Sequence, residues 1–294
     1  MSARAKQGQP DNQPCLTEPE AQYRGAENQL YRVEIHDGNL DKKGEIDDSA
    51  TPTFKFSREN GSVIFPIKSL KPDAVSNTTL VELEHLGCDD KLGLSFDDWV
   101  EFIDDSVDLH NKAMPLFRVE AIDAIDRKVT LSGATNVTFD LNKNPFLRRW
   151  DQKNANKVNA DGVINLTMGD WIKLEDGIEV KFSIEDTSRV RRGDYWLIPA
   201  RHVTGDVEWP KLTNDNGNIM KDAENNPIPK ALPPLGTIHY YAPLAIIANG
   251  DGGVTVSFDC RCSFNPFSYS CPYYYSGGLG IGTHLLCPQD GVDQ

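Results

Sequence analysis

The 294 residues carry a formal net charge of −14, with 30 Lys and Arg against 44 Asp and Glu. An acidic surface of this size repels phosphate backbones and anionic bilayers, so general nucleic-acid binding is excluded and partners with basic or neutral faces are favoured. With 39% hydrophobic and 25% charged residues the chain buries a real core and is not disordered, and its length suits one large β domain or two medium ones.

The start, "MSARAKQGQP", has two early cations and no apolar run behind them, which predicts no signal peptide. No apolar stretch is long enough to span a bilayer as a helix, so membrane insertion is not expected; localisation stays open, with release in an extracellular particle compatible with the chain. Residues 1–27 are polar and proline-punctuated, and read as an extended arm that is either disordered or pinned on a neighbour.

Near-alternation in "NQLYRVEIH" predicts a first strand. The loop after it, "DGNLDKKGEIDD", places Asp37, Asn39, Asp41 and Asp48 at positions 1, 3, 5 and 12 of a calcium-loop frame. Against calcium stand Lys42 at the position that needs glycine, the short Asp48 at position 12 and a strand, not a helix, in front; an ordinary polar loop is the plainer reading. "TFKFS" (53–57) and "SVIFPI" (62–67) flank "RENG", and Asn60-Gly61 predicts a hairpin because both residues tolerate positive φ. Further strands are expected in "NTTLVELEHLG", "DDWVEFIDD" (97–105), around the Asp126-Arg127 turn in 116–133, around Asp176-Gly177 in 169–183, and over 193–201, 236–248 and 253–259. No window has a capped 3.6 period. The chain is therefore expected to be all-β, built as sandwich and/or small-barrel modules with long loops and little helix.

"DDWVEFIDD" and "GDWIKLEDG" echo each other, which suggests two related modules, 28–140 and 141–259. Residues 211–235 form an exposed excursion with a turn tip at Asn216-Gly217, and 260–294 form a Cys/Tyr/Gly-rich tail.

The ordered blocks "GAENQLYRVEIHD", "FKFSRENGSVIFPI", "DDWVEFIDD", "PFLRRWDQK", "WIKLEDGIEVKF", "RRGDYWLIPARHVTGDVEWP" and "LPPLGTIHYYAPLAII" closely resemble an uncharacterised bacterial family over roughly residues 20–250. Its members are often encoded near contractile, phage-tail-like injection systems or joined to parallel β-helix regions. The resemblance implies a β-rich assembly or surface component and supplies no catalytic residues. Members usually carry a long N-terminal portion before this region, whereas the sequence here begins almost at the Cys15 segment, and the tail after 259 lies outside the resemblance.

Trp99, Trp150, Trp171, Trp196 and Trp209 recur beside turns and charged pairs. They read as corners of a structural aromatic core, each needing one acceptor for its N–H; the rival reading is an exposed sugar-stacking platform. Arg201 and His202, with Asp194 or Glu208, would make a polar site, but a structural salt bridge is the simpler account. Cys260, Cys262, Cys271 and Cys287, with His284, have the chemistry of zinc ligands, of disulfides formed in an oxidising space, or of free buried thiols, and Cys-x-Cys-x8-Cys-x15-Cys matches no standard finger. "SGGLGIG" lacks the Lys-Ser/Thr of a phosphate loop, and no Gly-x-Ser-x-Gly or His-Glu-x-x-His is present. Asn60, Asn77, Asn136 and Asn165 sit in sequons that matter only in a eukaryotic secretory route. A hydrolase would need acids such as Glu175 and Asp176 as its pair, and neighbours in a strand point to opposite faces, which suits acid/base work poorly.

The sequence thus points to a non-enzymatic structural or assembly component of a larger bacterial particle, joined to copies of itself or to other subunits through terminal arms, with no resident cofactor. A carbohydrate- or surface-binding β module is the alternative.

Overall fold

The computed structural model describes residues 1–6, 22–39, 47, 49–110, 113–136, 139–154, 158–183, 190–235, 242–250 and 253–261. The chain divides into two units, Met1–Gly236 and Thr237–Gln294. The fold is all-β, as the alternating pattern leads one to expect. Among the described residues the single α-helix is α1 (Asp105–Leu109), and no helix is long and apolar enough to cross a membrane.

The first unit opens with β1 (Ser2–Ala5), β2 (Gln29–Asp37) and β3 (Thr53–Ser57). The next six strands, β4 (Ile64–Asp73), β5 (Thr78–Leu83), β6 (Trp99–Ile103), β7 (Leu116–Asp123), β8 (Lys128–Ser132) and β9 (Phe146–Trp150), close into a barrel in the order β4-β5-β8-β7-β6-β9. Its inward residues alternate along each strand, and Phe65, Ile67, Val81, Leu83, Phe102, Val119, Val129, Leu131 and Leu147 fill it. Then come β10 (Ile164–Asn165), β11 (Trp171–Lys173), β12 (Ile178–Lys181), β13 (Tyr195–Arg201) and β14 (Asp206–Val207). A five-stranded sheet, β10-β3-β2-β13-β14, and a three-stranded sheet, β1-β12-β11, share one core around Tyr31, Val33, Ile35, Phe54, Phe56, Val180, Phe182 and Ile198. This is a sandwich, and the barrel is inserted into it.

That arrangement corrects three expectations. The modules do not divide the chain near residue 140: β2 and β3 pair with strands from 164 onward, and β3 with β10 directly. Alternation reports which face of a strand is buried, not which strand lies beside it. The Asn60-Gly61 turn exists, with φ of 54° and 67°, but it does not join partners. It passes the chain from β3 in the sandwich to β4 in the barrel, whose neighbours are β5 and β9. Thirdly, the chain start is not an arm. Ser2–Ala5 pairs with β12 from Ser2↔Lys181 to Ala5↔Ile178, and Met1, Ala3 and Ala5 lie in the sandwich core. Small residues suit this site because β1 is covered on one side by a second sheet. The rest of the expected arm, 7–21, lies outside the described residues.

The sequence echo also resolves into two different settings. Trp99 starts a barrel strand and pairs with Trp150, whereas Trp171 starts a three-residue edge strand. Trp99 lies against Gly162, where a Cβ would sit 2.3 Å from the indole and φ is +82°, so only glycine fits.

In the second unit β15 (Ala245–Gly250) pairs with β16 (Gly253–Asp259) as an antiparallel two-stranded sheet.

Candidate functional site

Three places gather polar groups: the seam between barrel and sandwich, the mouth of the barrel, and the stretch from Trp196 to Leu232.

At the seam, Lys55 on β3 reaches Glu101 on β6, Nζ to Oε2 at 2.5 Å, and Glu34 on β2 at 3.5 Å. Its ammonium lies 4.3 Å from the centre of the Trp150 ring, and Trp150 Nε1 donates to the same Glu101 oxygen at 2.9 Å. All four residues are buried. Burial by itself would raise the Glu101 pKa, but the charge and hydrogen bond of Lys55 more than reverse it and hold the carboxyl below its ordinary range. His36, next to this group, has Nε2 2.9 Å from the Met114 carbonyl and Nδ1 3.2 Å from Thr53 Oγ1. Burial lowers its pKa, so a neutral ring that donates to Met114 and accepts from Thr53 accounts for both contacts. The cluster is closed to solvent and ties β2 and β3 to β6 and β9.

A cleft of about 470 Å³ opens at the barrel end where β6 and β8 finish and β7 and β9 begin. Val107, Met114, Pro115 and Phe117 supply apolar walls, and Asp104, Ser106, Thr135, Asn136 and Lys143 supply polar groups. Phe117 and Thr135 also face the packed barrel interior, so they form the floor. Asp104 caps α1, accepting from Val107 N at 2.8 Å. His110 Nδ1 meets the Ser106 backbone carbonyl at 2.8 Å, not its hydroxyl, so no nucleophile–base pair is formed. The size and lining suit binding of a small ligand.

The third place concerns "RRGDYWLIPARHVTGDVEWP". Trp196 and Trp209 are buried, and each indole N–H is spent on the limb that returns from the 211–235 excursion: Trp196 Nε1 donates to the Leu232 carbonyl at 3.0 Å, and Trp209 Nε1 to that of Lys230 at 2.8 Å. The excursion they hold is not a simple hairpin. Leu212 N donates to Ile228 O (2.7 Å), Ile228 N to Met220 O (3.0 Å) and Met220 N to Leu212 O (2.8 Å), which closes a three-membered backbone ring. Bridges at Thr213↔Ile219, Lys221↔Pro227 and Lys211↔Pro229 complete a pseudo-threefold rosette with an eight-residue period (212, 220, 228). Asn214 Oδ1 caps one turn, accepting from Asn216 and Asn218, and eight residues on Asp222 Oδ1 does the same for Glu224 and Asn226. The sequence signal was present, as "KLTNDNGN" followed by "IMKDAENN", but an eight-residue period belongs to neither helix nor strand and is read as loop.

The other tryptophans are Trp150, 1% exposed in the seam, and Trp99 and Trp171, both half-buried. The Arg4 guanidinium covers Trp171 at 4.0 Å while pairing with Glu179 at 2.8 Å. Arg201 forms an exposed pair with Glu208 at 2.7 Å, and His202 Nδ1 lies 2.7 Å from the Gly25 carbonyl. Asp194 sits apart from them beside β2, its carbonyl accepting from Ile35 N and its carboxyl raised in pKa by burial. Glu175 and Asp176 do not converge: Glu175 is held by Arg58 through two 2.5 Å contacts, and Asp176 occupies the turn at φ 46°. In the calcium frame, Asp37 pairs with Arg192 at 3.0 Å and Asn39 Oδ1 accepts from Val190 N at 2.8 Å; Asp41 and Asp48 lie outside the described residues. Among the described residues no three His, Cys, Asp or Glu side chains gather as a metal site. Cys260 is disulfide-bonded, while Cys262, Cys271, His284 and Cys287 lie outside the described residues.

The chain belongs to a family of unknown function, DUF6519, whose model matches residues 1–272. The match extends past both ends of the 20–250 resemblance and takes in β1 and part of the Cys-rich tail. It brings a family and no activity, injection system or β-helix protein. No curated protein and no solved structure matches the chain.

Proposed function

We propose that this protein is a non-enzymatic structural component of a larger bacterial assembly, built to present rigid contact elements from a β scaffold. The observation that carries this reading is the rosette. Surface excursions longer than about 12–15 residues are usually functional or linkers, and this one is no linker. Its ring of hydrogen bonds and two buried indoles order it, yet it leaves Ile219 and Met220 half exposed, at 52% and 41%. A protrusion kept rigid without burying its own apolar residues is preorganised for contact. The setting, an extracellular, tail-like or filamentous particle, rests on the resemblance of the seven sequence blocks.

Light scattering of the full chain after size exclusion tests this reading: species larger than a monomer are expected, and a monodisperse monomer at high concentration overturns it. Leu212 N meets Ile228 O at 2.7 Å, so Thr213–Pro227 is replaceable by Asn-Gly across this closed pair. This replacement is expected to leave the unfolding transition in place and to reduce the assembled mass. An unchanged mass would remove the rosette from the interface.

The barrel-mouth cleft favours a second reading, a carbohydrate- or surface-binding module, since its polar groups and apolar walls suit a sugar. Saturable retention on immobilised glycans, lost in Asn136→Ala, would support it, and no retention across a glycan panel would dismiss it.

A further inference from the structure

The barrel-mouth cleft holds two opposite charges that do not pair with each other. Asp104 follows the last residue of β6 and is only 4% exposed. Its Oδ1 caps α1 by accepting from Val107 N at 2.8 Å, and among the described residues no donor reaches Oδ2. Lys143 ends the short turn Leu141–Lys143 ahead of β9, and among the described residues no acid pairs with it. Both line the cleft, and Val107, Met114, Pro115 and Phe117 form its apolar part.

The frame around these groups is tied down by contacts of its own. Asn144 Nδ2 donates to Asp105 Oδ2 at 3.0 Å, which fastens the turn carrying Lys143 to α1. His36 Nε2 meets the Met114 carbonyl at 2.9 Å, and Thr135 N donates to Thr79 Oγ1 at 3.1 Å, so wall and floor are held as well. A site ordered in this way loses less freedom on binding.

The two charges select the ligand. A buried carboxylate with an unmet oxygen is best answered by a cationic donor, because charge-assisted hydrogen bonds are about twice as strong as neutral ones. An ammonium brings three donors and no acceptor, and a carboxylate brings Lys143 only acceptors. Neutral hydroxyls would leave both charges uncompensated. We infer that the cleft takes a small zwitterion the size of a dipeptide, with its ammonium on Asp104, its carboxylate on Lys143 and its apolar body against Met114 and Phe117. A volume of about 470 Å³ accommodates such a molecule. This inference goes beyond the assembly reading. It rests on the cleft being a binding site, as the second reading also has it, and assigns the occupant a different chemistry.

Calorimetry of the full chain with leucyl-leucine, its N-acetyl form and its C-terminal amide tests this. Saturable binding of the free dipeptide is expected, weakened at least about tenfold by either cap. Asp104→Asn keeps an oxygen to cap α1 and removes the charge. It should weaken the free dipeptide at least about tenfold and the N-acetyl form little further, and Lys143→Met should do the same to the free dipeptide and the amide. Lys143 is half-buried and outside the core, so its variant carries the test if Asp104→Asn fails to fold. Equal binding of the three peptides, equal loss of all three in either variant, or no binding by the wild type overturns the inference. Glycan retention without dipeptide binding would refute the zwitterion and leave the second reading standing. Neither kind of binding would remove both.

Discussion

Replacing Lys55 by Met is expected to lower unfolding free energy by about 3–5 kcal/mol, because it strands Glu101 as an unpaired buried charge at the barrel–sandwich seam. Adding Glu101→Gln to the same chain should recover most of the loss. The amide oxygen can still accept from Trp150 Nε1, now 2.9 Å from the Glu101 carboxylate, and the buried charge is gone. Denaturant titrations of the two single variants and the double variant measure this. A double variant no more stable than Lys55→Met would mean that the attraction itself, not the stranded charge, sets the cost. The pH dependence has a definite sign. The Glu101 carboxyl is held below its unfolded value of 4.5, so its contribution is present above that pH and is lost as pH falls through the folded value.

Arg58→Ala is expected to cost about 2–3 kcal/mol at neutral pH, below the usual range for a buried pair because the arginine is a third exposed. It removes both 2.5 Å contacts to Glu175, a carboxylate with a 6% exposed side chain. Here the pH dependence runs the other way. Burial raises the Glu175 pKa even with Arg58 opposing it. The folded state therefore holds this proton at a pH where the unfolded chain has released it, and ionising Glu175 costs stability as pH rises above 4.5. Without Arg58 that cost grows, so the gap between variant and wild type should narrow as pH falls from 7 toward 5. A gap that widens on acidification would contradict the burial of an unpaired Glu175.

The two predictions separate roles that residue type leaves mixed. Glu175 stood out in the sequence only as one of an acid pair, and Lys55 and Glu101 not at all. A lysine at the centre of "TFKFS" reads as the solvent-facing position of a half-buried strand. It becomes a core residue because the inserted barrel covers that face with β6 and β9.

From sequence alone, alternation and turn chemistry determine the all-β class, most strand positions, and the turns at Asp126-Arg127 and Asp176-Gly177, where Arg127 and Asp176 have φ of 55° and 46°. These signals are local: a period of two and a residue that tolerates positive φ act within a few positions. Only the tertiary structure decided that residues 64–150 close a barrel inside a split sandwich, that Ser2–Ala5 is a buried strand at the edge of its sheet, and that Leu212, Met220 and Ile228 meet in a ring. Backbone donors and acceptors are the same at every residue but proline. Which strand satisfies which is therefore set by long-range closure and by the shape of the core, and a local pattern does not carry that information.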